Sequence, residues 1–128
     1  MQDLLNTIEK HFDDYLILDG LVPTISLGYI KEELVLYNIS KDKYADVLNC
    51  FMDITQKDVD EDYLISELSH GQQLILSAVI SLFSDAKSIL FHNFFISISD
   101  SNCEKLMKLI EVERLKGRVI VINGKKER

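Results

Sequence analysis

The chain has 128 residues, 47% of them hydrophobic, which is enough for one domain with a buried core. Its formal net charge is −7, and its only basic cluster is the terminal sequence "KKER" at residues 125–128, which is typical of a solvated terminus. This balance excludes nucleic acid and anionic membrane surfaces as expected partners.

The first thirty residues predict a helix followed by two strands. Apolar residues recur at helical spacing over residues 2–12, and "YLIL" at 15–18 is a short β-type run that ends at Asp19-Gly20. After Pro23, the alternating stretch "TISLGYI" predicts a strand near residues 25–30. The "ELVLYN" stretch that follows is apolar but ambiguous.

The next segment predicts one amphipathic helix and a loop. From Ser40, a candidate cap, apolar residues mark one face of a helix that runs to about residue 54; they are Tyr44, Val47, Leu48 and Phe51. Residues 55–66 are acidic and without periodicity, so they are predicted to form a loop.

The stretch "LSHGQQ" at 68–73 predicts the start of a long helix. Ser69 and Gln72 have the spacing of a capping box, and Gly71 lies in the first turn. The helix at about 70–83 is apolar on nearly all sides, so we expect it to be deeply buried or to lie in an interface. The capping box accounts for Ser69 and Gln72, but it does not require a glycine at 71.

The last forty residues predict a strand, a helix and a strand. The apolar run "SILFHNFFISIS" at 88–99 is typical of a strand covered on both faces, which we place at 88–92. Ser101 and Glu104 resemble a second capping box, which predicts a helix at 101–116 that Gly117 ends. "RVIVIN" at 118–123 is a further buried-type strand, so a βαβ unit with a right-handed crossover is expected.

Several kinds of site are not indicated. Cys50 and Cys103 are far apart in sequence, and the three histidines are scattered, so no metal site is predicted. No signal peptide is recognised, and no run reaches the roughly 18 apolar residues of a membrane helix. We therefore expect a cytoplasmic chain with reduced thiols and no direct membrane insertion.

The order of three motifs resembles the second half of an ABC-type ATPase nucleotide-binding domain. "LSHGQQ" (68–73), "SDAKSILFHN" (84–93) and "GRVIVING" (117–124) are similar to the LSGGQ signature, the Walker B strand and the switch-histidine strand of that family. Less closely, "LGYIKEE" (27–33) resembles the strand that leads into the Q-loop, and residues 3–20 resemble the helix that follows the Walker A loop together with its next strand.

This resemblance implies an α/β fold, a truncated P-loop NTPase domain of ABC-ATPase type. We expect a single domain over 1–128 that lacks the phosphate-loop segment, with a helical subdomain at 34–67. The implied sheet is small and mostly parallel, with strands near 25–30, 88–92 and 118–123. The helices near 2–12 and 101–116, and part of 70–83, are expected to flank it. A missing central strand would leave a sheet edge open for partners.

The residues that catalyse ATP hydrolysis in the family are replaced here. The sequence contains no GxxxxGK[ST] phosphate loop, and Met1 falls where that loop is expected. His92 takes the place of the Walker B aspartate that holds Mg²⁺, and Asn93 takes the place of the catalytic carboxylate. Either residue has a simpler reading, His92 as a histidine with a local hydrogen-bond partner and Asn93 as a strand-end residue.

Three other family positions also depart from the pattern. The Q-loop glutamine aligns with Glu32 and the switch histidine with Gly124. The D-loop aspartate aligns with Ser99, although Asp100 is one residue away. The resemblance therefore implies no catalytic residues, no metal and no cofactor bound by the chain alone.

The signature-like residues Ser69, His70, Gly71 and Gln72 are the remaining candidate site. In the family this helix end contacts the γ-phosphate of ATP held by the opposite subunit, which implies a shared ATP and a complete ABC-type ATPase as partner, in an ABC transporter for example. The chain would then be a non-catalytic subunit that pairs with or regulates that ATPase. The alternative is a self-associating structural remnant, a homo-oligomer in which the motif only caps a helix.

Overall fold

The computed structural model of the protein describes residues 15–124. The predicted helix at 2–12 lies outside these residues. Three strands form one sheet, namely β1 (Tyr15–Asp19), β2 (Ser88–His92) and β3 (Val119–Asn123). The longer helices are α1 (Ile30–Leu36), α2 (Tyr44–Thr55), α3 (His70–Phe83) and α4 (Asp100–Leu115). Short 3₁₀ turns at Lys41–Lys43 and Ile65–Glu67 precede α2 and α3.

The sheet is parallel throughout, with β2 in the centre. The strand order is β1-β2-β3, and the register aligns Leu18 with Phe91 and Phe91 with Ile122. The predicted α/β class, the parallel sheet and the strands at the two ends of the βαβ unit are therefore confirmed. The handedness of the crossover stays a prediction.

The strand predicted near residues 25–30 is wrong, because β1 takes its place beside β2. Side chains bind the backbone of this stretch in place of a neighbouring strand: the Glu33 carboxylate accepts from the N–H groups of Ile25 (2.8 Å) and Ser26 (2.6 Å). The Ser26 hydroxyl accepts from Gly28 N–H at 2.9 Å. Such local bonds compete with a strand ladder. The chain then enters α1 at Ile30, so four of the six residues of the ambiguous stretch are helical.

The two central helices agree with the sequence periodicity. In α2 the predicted face is buried, and the turn before it is capped at Ser40. In α3 every residue from 74 to 82 is buried, as expected for a helix that is apolar on nearly all sides. Helix α3 packs against α2, and both belong to one apolar cluster that also includes α1, α4 and one face of the sheet.

The last helix begins one residue earlier than predicted, and its cap lies two residues earlier. Its N-cap is Ser99, whose hydroxyl accepts from Asn102 N–H at 3.3 Å, so the capping box of Ser101 and Glu104 is wrong. Asp100 lies in the first turn, where a carboxylate interacts favourably with the helix dipole. Gly117 follows the helix with φ of +100°, as expected of a glycine beyond a helix end.

Candidate functional site

The candidate site lies where the first turn of α3 meets the carboxyl ends of the parallel strands. Gly20, the residue after β1, joins the two parts: its N–H donates to the His92 carbonyl at 3.0 Å, and its carbonyl lies 3.0 Å from His70 Nε2. Crevices outside the carboxyl ends of parallel strands are the usual ligand sites of open α/β sheets. The signature-like residues and the Walker B positions are thus brought to one edge.

Ser69 and Gln72 form the predicted capping box. The Ser69 hydroxyl accepts from Gln72 N–H at 3.1 Å, and the Gln72 side-chain oxygen accepts from Ser69 N–H at 2.9 Å. Ser69 is exposed in front of the helix. The box fixes where α3 starts and uses two of the free N–H groups of its first turn.

His70 and Gly71 complete the first turn of α3. Their backbone N–H groups have no acceptor among the residues that the structure describes, and they lie at the positive end of the helix dipole. A Cβ atom at Gly71 would lie 3.2 Å from the Ser97 carbonyl oxygen, because the loop after β2 passes close to this turn. Close packing therefore gives Gly71 a structural role that the sequence did not indicate.

His92 and Asn93 lie at and just after the carboxyl end of the central strand. Both ring nitrogens of His92 have amide neighbours, with Nδ1 3.2 Å from Asn123 Nδ2 and Nε2 3.2 Å from Asn93 Nδ2. In a neutral imidazole the nitrogen without a proton accepts from such an amide, so His92 has a local hydrogen-bond partner, as its simpler reading predicts. The Asn93 N–H donates to the Asn123 carbonyl at 2.8 Å and so extends the sheet by one bond.

Gly124 and Asn93 fit each other closely. Asn93 has φ of +50°, a left-handed conformation that asparagine tolerates better than most residues, and Gly124 has φ of +71°. A Cβ atom at Gly124 would overlap the Asn93 side-chain oxygen. A side chain at the switch-histidine position is therefore incompatible with Asn93 in this conformation.

The donor atoms at this edge do not suit Mg²⁺. The ion prefers carboxylate, carbonyl and phosphate oxygens in octahedral geometry, whereas the site offers an imidazole whose nitrogens already face amides. The nearby Asp19 carboxylate accepts from Leu21 N–H at 2.8 Å. Within residues 15–124, no group of three or more histidine, cysteine or acidic side chains is placed to hold a metal.

Two residues of the site were missed by the sequence analysis. Gly20 was read only as the end of a strand, and Asn123 only as the last residue of "RVIVIN". The available signal for Asn123 was a polar residue at the end of an apolar strand; it is buried and faces His92. For Gly20 no such signal exists, because its contribution is made by backbone atoms.

Glu32, the residue aligned with the Q-loop glutamine, lies in a helix and not at the end of a strand as the alignment implies. Glu32 is in the first turn of α1, where its carboxylate accepts from Tyr29 N–H at 2.6 Å. The assignment assumed that residues 27–30 form a strand beside the Walker B strand, and β1 holds that place instead. Ser99, the aligned D-loop residue, is the N-cap of α4.

The fold is that of ABC ATP-binding proteins, although no protein-family model and no curated protein sequence matches the chain. A structure described as an ABC transporter ATP-binding protein of Pyrococcus furiosus superposes with a TM-score of 0.67 at 21% identity, over 94% of this chain and 60% of that one. CbiO1 of Clostridium perfringens, part of the ABC transporter complex cbiONQ, gives 0.64 at 15% identity, over 93% and 50%. The chain thus spans only 60% and 50% of the lengths of these two proteins.

One further observation concerns membranes. Among the helices of residues 15–124, none has both the length and the apolar content that crossing a membrane would require.

Proposed function

We propose that the chain is a cytoplasmic, non-catalytic ABC-ATPase-like subunit that offers the first turn of α3 to an ATP bound by a complete ABC-type ATPase. The observation that carries this proposal is the pair of backbone N–H groups at His70 and Gly71. They lack an acceptor within the described residues, and they stand at an exposed helix start beside the carboxyl edge of the sheet. A helix start of this kind is a suitable site for a phosphate oxygen.

In this proposal the partner supplies the catalytic residues. The chain has no phosphate loop, and the His92 side chain faces the side-chain amides of Asn93 and Asn123. Phosphoryl transfer requires positioned phosphates, Mg²⁺ and an oriented water. A subunit without these elements can complete or regulate a partner's nucleotide site, and we expect no steady-state ATP hydrolysis by the chain alone.

A second candidate is a self-associating structural protein without a nucleotide role. It is favoured by the contacts that the signature-like residues 69–72 make within the fold. Ser69 and Gln72 bond to each other's backbone, the His70 ring faces the Gly20 carbonyl, and Gly71 packs on the Ser97 carbonyl. Each of the four residues therefore has a structural explanation, and water can satisfy the two free N–H groups at an exposed helix start, whereas the first candidate assigns them to a phosphate oxygen.

The experiment is ATP-dependent association with a complete ABC-type ATPase encoded beside this chain. That ATPase is used as a variant without its catalytic carboxylate, so that ATP stays bound. We expect Gly71→Asp to weaken ATP-dependent association at least tenfold, since only ~1.4 kcal/mol of lost interaction is needed and the carboxylate would lie close to the phosphate. Gly71→Ala is the matched control, because it adds the Cβ atom near Ser97 without the charge.

The outcomes separate the two candidates. Association that requires ATP, survives in Gly71→Ala and is lost in Gly71→Asp supports the trans role. If wild type and Gly71→Asp associate equally with and without ATP, the trans role is rejected and the second candidate remains. Melting temperatures of all three proteins show whether either substitution damages the fold.

A further inference from the structure

The outer edge of β1 carries backbone groups that have no partner among residues 15–124. Gly20 N–H donates to the His92 carbonyl, and bonding direction alternates along a strand, so Tyr15 and Ile17 direct their N–H and C=O groups away from β2. Within residues 15–124 these four groups have no backbone partner. An open edge of this kind is a template for another strand.

At the opposite edge of the sheet, a charged side chain covers one backbone group. Val119 N–H donates to the Lys87 carbonyl, so the neighbouring Ile120 directs its backbone groups outward. The Arg114 guanidinium covers this position, with Nε at 3.2 Å and Nη2 at 2.8 Å from the Ile120 carbonyl oxygen. A charged side chain on an edge discourages strand addition. The Ile122 backbone groups also face outward and have no partner within residues 15–124, so the β3 edge is covered at Ile120 alone. The two edges therefore differ in that a guanidinium lies on the β3 edge, whereas no described side chain bonds to the outward groups of β1.

Exposed apolar side chains flank the open edge. Residues 20–29 contain no charged residue, although the chain as a whole is 27% charged. Ile25 and Leu36 line a cavity of about 270 Å³ together with Leu16 of β1, which places them beside this strand. We define the β1 surface as six exposed residues: Ile17, Leu21, Ile25, Leu27, Val35 and Leu36.

The β1 surface is large for a region exposed to water. Leu21 and Leu27 are 82% and 79% exposed, and Ile17 is 47% exposed. Ile17 projects from the opposite face of β1 to Leu16, so these side chains lie on both sides of the open edge, with Lys31, Glu32 and Asp85 near Ile25, Val35 and Leu36. Exposed apolar side chains on both sides of an unpaired strand edge indicate an interface.

We propose that the β1 surface is a homodimer interface, in which β1 pairs antiparallel with β1 of a second copy. A two-fold axis beside Ile17 would let its N–H and C=O groups bond to the same groups of the second copy, so the edge is self-complementary. Residues 20–29 carry no charge, and pairing about Ile17 places Asp19 opposite Tyr15 of the second copy, so the two Asp19 carboxylates do not face each other. This inference does not depend on the proposed function.

The test is the solution mass of the full 128-residue chain, measured by sedimentation equilibrium over a range of concentrations. Wild type is expected to form dimers, and Ile17→Lys to raise the dimer Kd at least tenfold, because it places a charge on the two-fold axis. Leu115→Lys is the matched control. It makes the same charge change, from −7 to −6, at an apolar residue of α4 that is 88% exposed and outside the β1 surface.

A second variant keeps the test decisive if Ile17→Lys does not fold. Leu27 is so exposed that Leu27→Lys should keep the wild-type melting temperature and still weaken the dimer. A wild-type chain that stays monomeric at all concentrations would overturn the proposal. So would a folded Ile17→Lys or Leu27→Lys protein with the same dimer Kd as Leu115→Lys.

Discussion

Ser77 is a buried hydroxyl group in the middle of α3 that lacks a hydrogen-bond partner within the described residues. A buried polar group without a partner loses its hydration and receives nothing in return. We expect Ser77→Ala to stabilise the protein by about 1 kcal/mol, through the removal of this penalty and the better helix propensity of alanine. In a domain of this size the melting temperature should rise by roughly 3–6 °C.

Ser81→Ala is the control for this prediction, since it is the same substitution at another buried position of the same helix. The Ser81 hydroxyl donates to the Ala78 carbonyl at 2.7 Å, so its removal loses a bond and should not stabilise the protein as much. Equal changes in melting temperature for the two variants would show that helix propensity alone is responsible.

The residues that replace the Walker B carboxylates permit a second prediction. His92→Asp combined with Asn93→Glu should not produce an ATPase, because a magnesium ligand without a phosphate loop has no bound phosphates to act on. The double variant should also melt at a lower temperature. It removes the contacts of His92 with two amides and places glutamate at φ of +50°, a conformation that glutamate tolerates less well than asparagine.

The measurement is phosphate release with excess Mg·ATP, together with thermal unfolding of wild type and variant. Turnover that depends on the two new carboxylates would mean that a phosphate site exists elsewhere in the chain. His92→Asn with Asn93 unchanged is a milder control, because it removes the imidazole without adding charge.

For single residues, the sequence predicts side-chain contacts between near neighbours better than contacts made by backbone atoms of distant segments. The Ser69–Gln72 box was predicted because both partners are three residues apart. The true cap of α4, Ser99, was missed because Ser101 stands three residues before a glutamate, as in a capping box. Local spacing does not show which of the two serines caps the helix. The contacts of Gly20 depend on the packing of distant segments, for which one sequence gives no local signal.

Between elements, Arg118 connects the end of α3 to the start of β3. Its guanidinium donates to the carbonyls of Leu82 (2.6 Å) and Ala86, and to the Glu113 carboxylate at 2.9 Å. The last carbonyls of a helix need such donors, and a cation there also interacts favourably with the helix dipole. The three elements around this side chain are thus held by one charged group.

The Glu113 carboxylate makes this connection sensitive to pH. Burial tends to raise its pKa, but hydrogen bonds from Arg118 and Lys116 outweigh that effect and hold the pKa below the ordinary value of 4.5. A carboxyl group whose pKa is lowered by folding stabilises the folded state at pH values above its pKa in the unfolded state. This contribution is lost as the pH falls through its pKa in the folded state. Burial raises the pKa of Glu33, so its effect on stability has the opposite sign.

We therefore expect Glu113→Gln to lower the free energy of unfolding at pH 7, and this loss to shrink as the pH falls below about 4.5. Urea unfolding at intervals from pH 3 to pH 7 measures the difference from wild type. Glu111→Gln is the control, since its bond to Arg114 is exposed and should contribute little at any pH. A loss of stability in Glu113→Gln that is independent of pH would contradict the assignment.

Helices and strands were predicted correctly where the apolar pattern of the sequence is regular. Helices α2 and α3 were predicted because their apolar faces are long and regular, and β2 and β3 because their apolar runs are bounded by polar residues. The stretch at 25–30 alternates like a strand, yet the Glu33 carboxylate binds its N–H groups from eight residues away. A bond of that kind depends on how α1 packs, so the alternation alone predicted the wrong structure.

For the whole molecule, the sequence predicted the parallel α/β fold but not the state of its sheet edges. The absence of a central strand led to the expectation of an open edge. Arg114 covers the β3 edge at the Ile120 carbonyl, although in the sequence it resembles an ordinary solvated residue on the last turn of a helix. Whether an edge is open depends on where a long side chain from another element ends, which the sequence pattern does not show.

The last prediction concerns this protected edge. Arg114→Ala should expose the Ile120 carbonyl and allow strand addition at β3, so that the weight-average mass, measured by light scattering, increases with concentration beyond that of wild type. Lys108→Ala is the control, because it removes one positive charge from the exposed side of the same helix without uncovering an edge. If Arg114→Ala and Lys108→Ala have the same mass distribution as wild type, Arg114 does not protect the sheet. An Ile17→Lys background separates the two edges, since any association that remains there must use β3.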